Sequence, residues 1–193
     1  MRHSVSGGAV LLLLALAGAA SAQRPIGNGT AREGSLSFDG KATAGDFVGQ
    51  TSTVTGEFTG GADLDSVKGW VEAPTGSLRT GNDHRDRDML TKSLEADKFP
   101  VMRFQLTGLK SEPGQGDSVA VMLKGELTLH GETRPVEIPG TVVRHGEEAR
   151  ILSSFPVDVR DYKVGSLSRF LGMFKMDPHI LVHVDVTFAV HPQ

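Results

Sequence analysis

The polar stretch from Thr80 to Asp86 has the residue types and the spacing best suited to contact a ligand. Within it, Asn82 offers an amide and Arg85 a guanidinium, two groups that can hydrogen-bond the polar head of a small molecule. The same stretch also suits a scaffold, because asparagine caps helices, Gly81 permits a turn and Arg85 can pair with Asp86 or Asp88. Cap chemistry favours the scaffold. Asn82 and Arg85 are therefore candidates for either role, head-group contact or scaffold.

A calcium loop is the second chemistry that this region suggests. Oxygen-bearing side chains recur at short intervals from Asn82 to Asp88. However, Arg85 and Arg87 alternate with the carboxylates and offset their charge. The glycine and the closing glutamate of an EF-hand loop are also missing. The sequence therefore disfavours calcium.

Two histidines near the end of the chain have a spacing that would suit zinc on a helix. His179 and His183 are four residues apart, but they lie in a run where apolar and polar residues alternate, which indicates a strand. On a strand they would be about 13 Å apart, at roughly 3.3 Å per residue. Zinc bonds are near 2 Å, so solvent-facing histidines are the favoured interpretation and no metal site is predicted.

Composition and missing motifs argue against several classes of function. The chain has no cysteine, which excludes disulfides, thiol nucleophiles and thiolate metal sites. The motifs Gly-x-Ser-x-Gly and His-Glu-x-x-His are absent. A net charge of −3 gives no whole-chain attraction for nucleic acid. We expect a protein that is not an enzyme and needs no cofactor, although a site assembled from scattered residues would leave no motif.

The start of the chain is typical of an export signal. Arg2 and His3 precede an apolar run at Ala9–Ala17, and the small residues Ala20–Ala22 follow it. The run is shorter than the roughly 20 residues of a membrane anchor. We expect cleavage before Gln23, a periplasmic or secreted product and no stable membrane insertion. The predicted divisions are a signal peptide at 1–22, a flexible leader at 23–34 and one domain at 35–193.

Apolar and polar residues alternate with a period of two through most of that domain, which predicts β-strands. The last run is the clearest, with one face made of Ile180, Val182, Val184, Val186 and Phe188. About eight runs with short connections are typical of an antiparallel sheet that closes into a barrel, and such a barrel can hold one ligand. The predicted fold is all-β. The predicted strands are 35–41, 47–58, 67–73, 101–109, 119–129, 134–143, 150–159 and 179–188.

Helical spacing occurs in two places, so one or two short helices are expected. The first helix would begin at Asn82 or Asp83, present Leu90 and Leu94, and end before Phe99. The second pattern is the apolar segment 167–174, which suits a short amphipathic helix or a turn. That segment would serve as a plug or a lid at one end of the barrel. Contact with a membrane is less favoured, because the apolar stretch is short.

Two blocks of sequence resemble the signature of the YceI-like polyisoprenoid-binding family. The string SLRTGNDHRDRDMLTKSLEADKFPVMRF at 77–104 matches the family's S-L-x-T-G-N, R-D-x-x-L and F/Y-P-x-x-x-F in both type and spacing. The string GELTLHGETRPVEIPGTV at 125–142 matches its G-x-L-T-L-x-G-x-T-[KR]-P-V hairpin, and Asp161–Val164 is similar to a later segment. The chain departs from the family at Lys41–Asp46, which lacks the usual K-H of the first turn.

The resemblance implies an eight-stranded lipocalin-like barrel in the periplasm, with a tunnel for an isoprenoid tail. Burial makes such a ligand physically reasonable, because each CH₂ contributes roughly 0.8 kcal/mol. Homodimers are left open. The residues that we predict to line the tunnel are Phe38, Phe58, Leu90, Leu94, Phe104, Leu127, Leu129, Phe170, Phe174, Val182 and Val184.

Three hypotheses about function follow. The first is a periplasmic or secreted carrier or buffer that sequesters a long apolar ligand, an isoprenoid lipid or an isoprenoid quinone. Polyprenyl phosphate and fatty acyl chains also fit, because apolar side chains do not specify a single ligand. The second is a structural or stress-response interaction protein whose barrel is filled. The third, a hydrolase or isomerase, requires a buried polar cluster inside the tunnel.

Overall fold

The alternating runs form the wall of a closed antiparallel barrel in the computed structural model, which describes residues 26–111, 118–165, 168–169 and 174–191. The strands are β1 (Asn28–Gly40), β2 (Phe47–Thr51), β3 (Thr55–Thr59), β4 (Lys68–Pro74), β5 (Val101–Ser111), β6 (Ser118–Leu129), β7 (Glu132–His145), β8 (Glu148–Asp158), β9 (Ser168–Arg169), β10 (Phe174–Lys175) and β11 (His179–His191). The predicted all-β, eight-stranded antiparallel barrel with a short helix is confirmed.

The barrel closes where β1 meets β11. Their register runs from Asn28 opposite His191 to Asp39 opposite Leu181. On its other edge, β1 pairs with β2 near one end and with β3 near the other. Since β2 and β3 share that edge, they act as one interrupted strand, and the wall has eight positions. The remaining neighbours follow in chain order from β3 to β8, and β8 then pairs with β11.

One helix covers one end of the barrel, which we call the helix end; the opposite end is called the far end. Helix α1 (Asp83–Asp88) continues into a π-helical turn at Met89–Ser93. Asn82 is its N-cap, as predicted, and the Asn82 side chain accepts a hydrogen bond from the backbone of Arg85. Single 3₁₀ turns occur at Leu64–Ser66, Thr75–Ser77 and Val159–Tyr162. No helix in the described part of the chain is long and apolar enough to cross a membrane.

The tight hairpin between β6 and β7 forms because two successive residues adopt positive φ. His130 has φ 51° and Gly131 has φ 76°, which is the backbone shape of a two-residue type I′ turn. Glycine adopts it without strain, whereas His130 is held there by contacts described below. The hairpin tip lies at the helix end, next to the residues that follow α1.

The predicted leader is wrong in its second half, because β1 begins at Asn28 rather than at 35. The stretch is rich in glycine for a packing reason. A Cβ atom on Gly29 would lie 2.2 Å from the ring of Phe58, and one on Gly34 would lie 2.9 Å from Val54. These glycines let neighbouring side chains lie against the backbone of β1. The signal peptide prediction at 1–22 falls outside the described residues.

The largest other differences from the prediction are an interrupted strand and an earlier helix end. The run at 47–58 is interrupted at 52–54, where the hydroxyl of Thr51 accepts a hydrogen bond from the backbone of Thr53 and replaces a strand partner. The first helix ends at Ser93, because Glu95 takes a left-handed φ of 44°. In the segment 167–174, residues 168–169 form β9 and Phe174 begins β10, and the two pair antiparallel. The rest of this segment lies outside the described residues.

Candidate functional site

The inner faces of the strands do not fill the barrel, and they surround a cavity of about 650 Å³. This volume lies in the range of roughly 300–1,000 Å³ that is typical of small-molecule sites. Its lining is almost wholly apolar and includes residues from both ends of the barrel. On β11 the whole predicted inner face lines it: Ile180, Val182, Val184, Val186 and Phe188. The hypothesis of a filled barrel therefore lacks the close inner packing that it requires.

Most of the residues predicted to line the tunnel do line this cavity. The structure brings together Phe38, Phe58, Leu94, Phe104, Leu127, Leu129, Val182 and Val184. Phe170 lies outside the described residues, and Phe174 is described only as backbone in β10.

The prediction that Leu90 lines the tunnel is wrong. Leu90 packs against the core and does not line the cavity. The helix presents Met89, Lys92 and Ser93 to the cavity instead. These three positions are spaced i, i+3 and i+4, so they share one face of a helix. Leu90, the residue after Met89, lies beside that face and packs against the core. The presence of a helix was predicted, but its rotation about its own axis was not.

Aromatic pairs border the cavity toward both ends. At the far end, Phe58 and Phe188 meet edge to face, with ring centroids 5.3 Å apart. Toward the helix end, Phe38 and Phe47 make a similar contact at 6.1 Å. Edge-to-face rings are attractive beyond their buried area. They give the cavity a rigid apolar border on which a flexible tail can lie.

The helix end of the cavity is polar. Arg85 donates from Nε to the Thr80 hydroxyl at 2.8 Å and from Nη2 to the Thr80 carbonyl at 2.9 Å. Asp86 is buried, and its Oδ1 accepts from the Thr80 backbone at 2.8 Å and from the Thr80 hydroxyl at 2.5 Å. The guanidinium of Arg85 also lies 4.3 Å over the ring of Phe47. The Asn82 side chain thus caps the helix, and Arg85 is fixed by its neighbours; both residues also border the cavity.

A second polar cluster at the helix end was not predicted. The buried ring of His130 lies 3.2 Å from the Tyr162 carbonyl through Nδ1 and 2.9 Å from Glu95 Oε2 through Nε2. The ring of Phe99 packs against it at 4.3 Å. These contacts join the β6–β7 hairpin to the segment after α1 and to the turn before residue 163. The histidine-glycine pair signalled only a turn, and the partners come from distant parts of the sequence.

Histidines on the outer wall lie on β11, as the alternation predicted. His183 Nδ1 is 2.8 Å from the Ser154 hydroxyl, and its Nε2 is 3.2 Å from Asp39 Oδ2. The three side chains form a row across β8, β11 and β1, and none of them lines the cavity. His179 has other partners, Asp177 and Asp158. Within the described ranges, no three His, Asp or Glu side chains are placed to share a metal ion.

The turn that carries Tyr162 is held by an ion pair with a clear pH signature. Asp158 caps this turn through the backbone of Arg160 and also accepts from the Arg160 guanidinium at 2.6 and 2.9 Å. The Arg160 side-chain hydrogen bond lowers the pKa of Asp158 from 3.8 to about 2. Because the folded pKa is the lower one, the stabilisation is present above about pH 4 and is lost as the pH falls toward 2.

We therefore expect the substitution Asp158→Asn, which keeps a capping side chain but removes the charge, to destabilise the protein at neutral pH and to have little further effect near pH 2. Urea unfolding at several pH values measures the difference. Arg160→Gln and the double variant are the controls, because the coupling between the two residues should vanish over the same interval. A difference that stays constant from pH 6 to pH 2 would contradict the assignment.

The chain is similar to a known family, to curated relatives and to solved structures. The model of a family described as the YceI-like domain matches residues 30–190. A UPF0312 protein of Pseudomonas savastanoi pv. phaseolicola is 37% identical over 79 residues, which are 40% of this chain and 39% of that protein. The chain thus matches less than half the length of this curated relative.

Two solved structures share the fold. A polyisoprenoid binding domain from Saccharophagus degradans has a TM-score of 0.70 at 15% identity, covering 86% of this chain and 99% of its own. BcnA of Burkholderia cenocepacia has a TM-score of 0.68 at 15% identity, covering 80% and 95%. At such low identity, the likeness concerns the fold alone.

Proposed function

Because the chain belongs to the YceI-like family, we propose that its barrel sequesters or carries a long apolar molecule, an isoprenoid-type lipid, in the periplasm. The observation that carries this proposal is the apolar cavity of about 650 Å³ inside the wall. A cavity of this kind favours a hydrocarbon tail, because each buried methylene contributes roughly 0.8 kcal/mol. The solved domain from Saccharophagus degradans, described as polyisoprenoid-binding, supports the same ligand class.

The proposed work of the barrel is burial, without a chemical step and without a cofactor. Most of the cavity wall is apolar, as at Leu127, Leu129 and Val184, and the carboxylates Glu57 and Glu72 also border it. Several polar groups, among them Arg85 and Lys92, border the cavity at the helix end, where a head group would lie. Export through the signal peptide at 1–22 would put the protein beside the membrane lipids that it takes up. Binding of the ligand in the barrel requires neither export nor a homodimer.

Purification from a bacterial periplasm followed by native mass spectrometry and lipid extraction tests the proposal. We expect one lipid for each barrel. Adding geranylgeraniol to stripped protein at about 100 times its Kd should stabilise the fold by about 2.7 kcal/mol, which raises the Tm by roughly 5–10 °C for a domain of this size. A barrel that is purified empty and gains no thermal stability with any isoprenoid would overturn the proposal.

A further inference from the structure

One part of the barrel wall is not closed by a backbone ladder. In the described part of the chain, the pairing of β7 with β8 ends where Gly140 lies opposite Ser153. Both strands continue beyond this point toward the helix end, each paired only with its other neighbour, β6 or β11. We call these unpaired stretches, residues 132–139 of β7 and 154–158 of β8, the seam. Prolines occur on both of its sides, at Pro135, Pro139 and Pro156, and proline has no N–H with which to pair across a sheet.

Cavity-lining side chains lie directly behind the seam. Ile138 of β7 and both Phe155 and Val157 of β8 line the cavity. The turn that follows β8 adds Val159 and Val164 to the same lining. A passage opened between the two strands would therefore lead from the cavity to the outside of the barrel along apolar side chains.

The turn at Val159–Tyr162 reaches from the end of β8 back to the start of β7, across the seam. Arg134 Nε donates to the carbonyl of Asp161 at 2.6 Å. Next to it, Lys163 Nζ lies 2.7 Å from Glu132 Oε1. Both contacts involve exposed side chains, and exposed ion pairs contribute little to stability. These two contacts alone would hold the turn only weakly.

His130 adds a buried contact across the seam. Its ring uses both nitrogens, Nδ1 toward the carbonyl of Tyr162 and Nε2 toward Glu95 Oε2. We call His130, Glu95 and Tyr162 the clasp, because together they tie the hairpin tip to the turn and to the segment after α1. His130 and Tyr162 are both buried, and hydrogen bonds shielded from water are the stronger ones. The clasp therefore decides whether the seam stays closed.

The backbone of the clasp is strained. Within the described ranges, the residues other than glycine that have positive φ are Glu95 at 44°, His130 at 51° and Lys163 at 53°. Two of them belong to the clasp, and the third follows Tyr162. Residues with a side chain rarely adopt this conformation, and such strain is concentrated in segments that switch between states. Opening the clasp would release the strain, so less energy is needed to open the wall here.

We propose that the seam is the passage through which the ligand enters and leaves the barrel, and that the clasp is its gate. The inference rests on the proposed function and adds to it a route for the ligand. While the clasp is closed, the wall encloses the ligand. When the clasp opens, the turn moves away from β7 and the apolar tail slides between β7 and β8.

Stopped-flow fluorescence with all-trans-retinol, a fluorescent isoprenoid alcohol, measures how fast the stripped protein binds and releases a ligand. We expect His130→Asn to raise both rates by about ten-fold, as for the loss of a hydrogen bond to a charged group. The Kd should stay nearly constant, because it is the ratio of the two rates and His130 does not line the cavity. Asparagine tolerates positive φ, so the hairpin keeps its turn.

Two further variants support this measurement. Glu95→Gln keeps the shape of the side chain and removes its charge, so it should raise both rates by less and serves if His130→Asn fails to fold. Arg150→Gln is the control, because it removes two hydrogen bonds to Asp185 on the outer wall, away from the seam. Neither Arg150 nor Asp185 lines the cavity, and we expect both rates to be unchanged.

Hydrogen exchange distinguishes a gate from a residue that only stabilises the fold. His130→Asn should speed amide exchange at residues 159–165 and leave the β1–β11 ladder as protected as in the wild type. Faster exchange over the whole barrel would mean general destabilisation and would overturn the gate.

The outcomes separate the two proposals. If the wild type binds retinol and His130→Asn loosens the turn without changing either rate, the ligand passes through an end of the barrel. The inference is then overturned, while the carrier proposal stands. An equal rise of both rates in Arg150→Gln would have the same meaning. If the wild type binds neither retinol nor geranylgeraniol, the carrier proposal fails and the inference fails with it.

Discussion

Replacing Val184 with phenylalanine is expected to weaken lipid binding by about ten- to fifty-fold while changing the free energy of unfolding by no more than about 1 kcal/mol. Val184 lies in the middle of β11, opposite Leu36 and Ser153, and its side chain points into the cavity. The added ring would occupy the space of two or three methylene groups of the tail, each worth roughly 0.8 kcal/mol. Because that space is empty, the ring meets little resistance.

The control for this experiment is Leu181→Phe, on the same strand but on its outer face. Leu181 is 40% exposed, so the larger side chain should change neither binding nor stability. Titration with geranylgeraniol and urea unfolding measure the two quantities for each variant. A filled barrel would behave differently, since overpacking a dense core at Val184 costs about 1–3 kcal/mol. Such a loss of stability with unchanged binding would contradict an open cavity.

Truncation of Phe188 to alanine is expected to lower the free energy of unfolding by about 3–5 kcal/mol. Phe188 is 2% exposed and meets Phe58 edge to face at the far end. It also lies on β11 opposite Ala31 of β1, so its ring packs at the junction that closes the barrel. Removing the ring enlarges the cavity and leaves the surrounding side chains without a partner.

Urea unfolding with a fitted m-value measures the loss, and Leu181→Ala on the exposed face is the matched truncation, for which we expect about 0.5 kcal/mol or less. Equal m-values would show that both variants unfold from the same closed barrel. If Phe188→Ala cost no more than the control, Phe188 would contribute nothing to closing the far end.

The sequence predicted those parts of the molecule that depend on local alternation. Side chains on a strand alternate between two faces, so the inner face of β11 could be assigned from Ile180 to Phe188 without knowing its neighbours. The cap at Asn82 is equally local, because the residue and the backbone that it bonds are three positions apart. The family resemblance, which rested on two contiguous blocks, was confirmed for the same reason.

What the sequence could not show depends on contacts between distant residues. Gly29 looked like part of a loop, but Phe58 from another strand requires a residue without a side chain there. The Thr51 hydroxyl also has a distant neighbour that the sequence did not show, the hydroxyl of Ser77 at 2.8 Å. The cavity itself has no motif, because its volume is what remains when all eight strand positions are placed.

The pairing of β1 with β11 closes the barrel and joins residues far apart in the sequence. Asn28 and His191 are adjacent in the sheet but stand at opposite ends of the described sequence. Contacts over such a separation raise the contact order, and they slow folding into the range of milliseconds to seconds. Until β11 arrives, the open sheet presents two unpaired edges, each able to pair with another chain. The ability to enclose a ligand and the protection against edge-to-edge aggregation therefore depend on the same strand pairing.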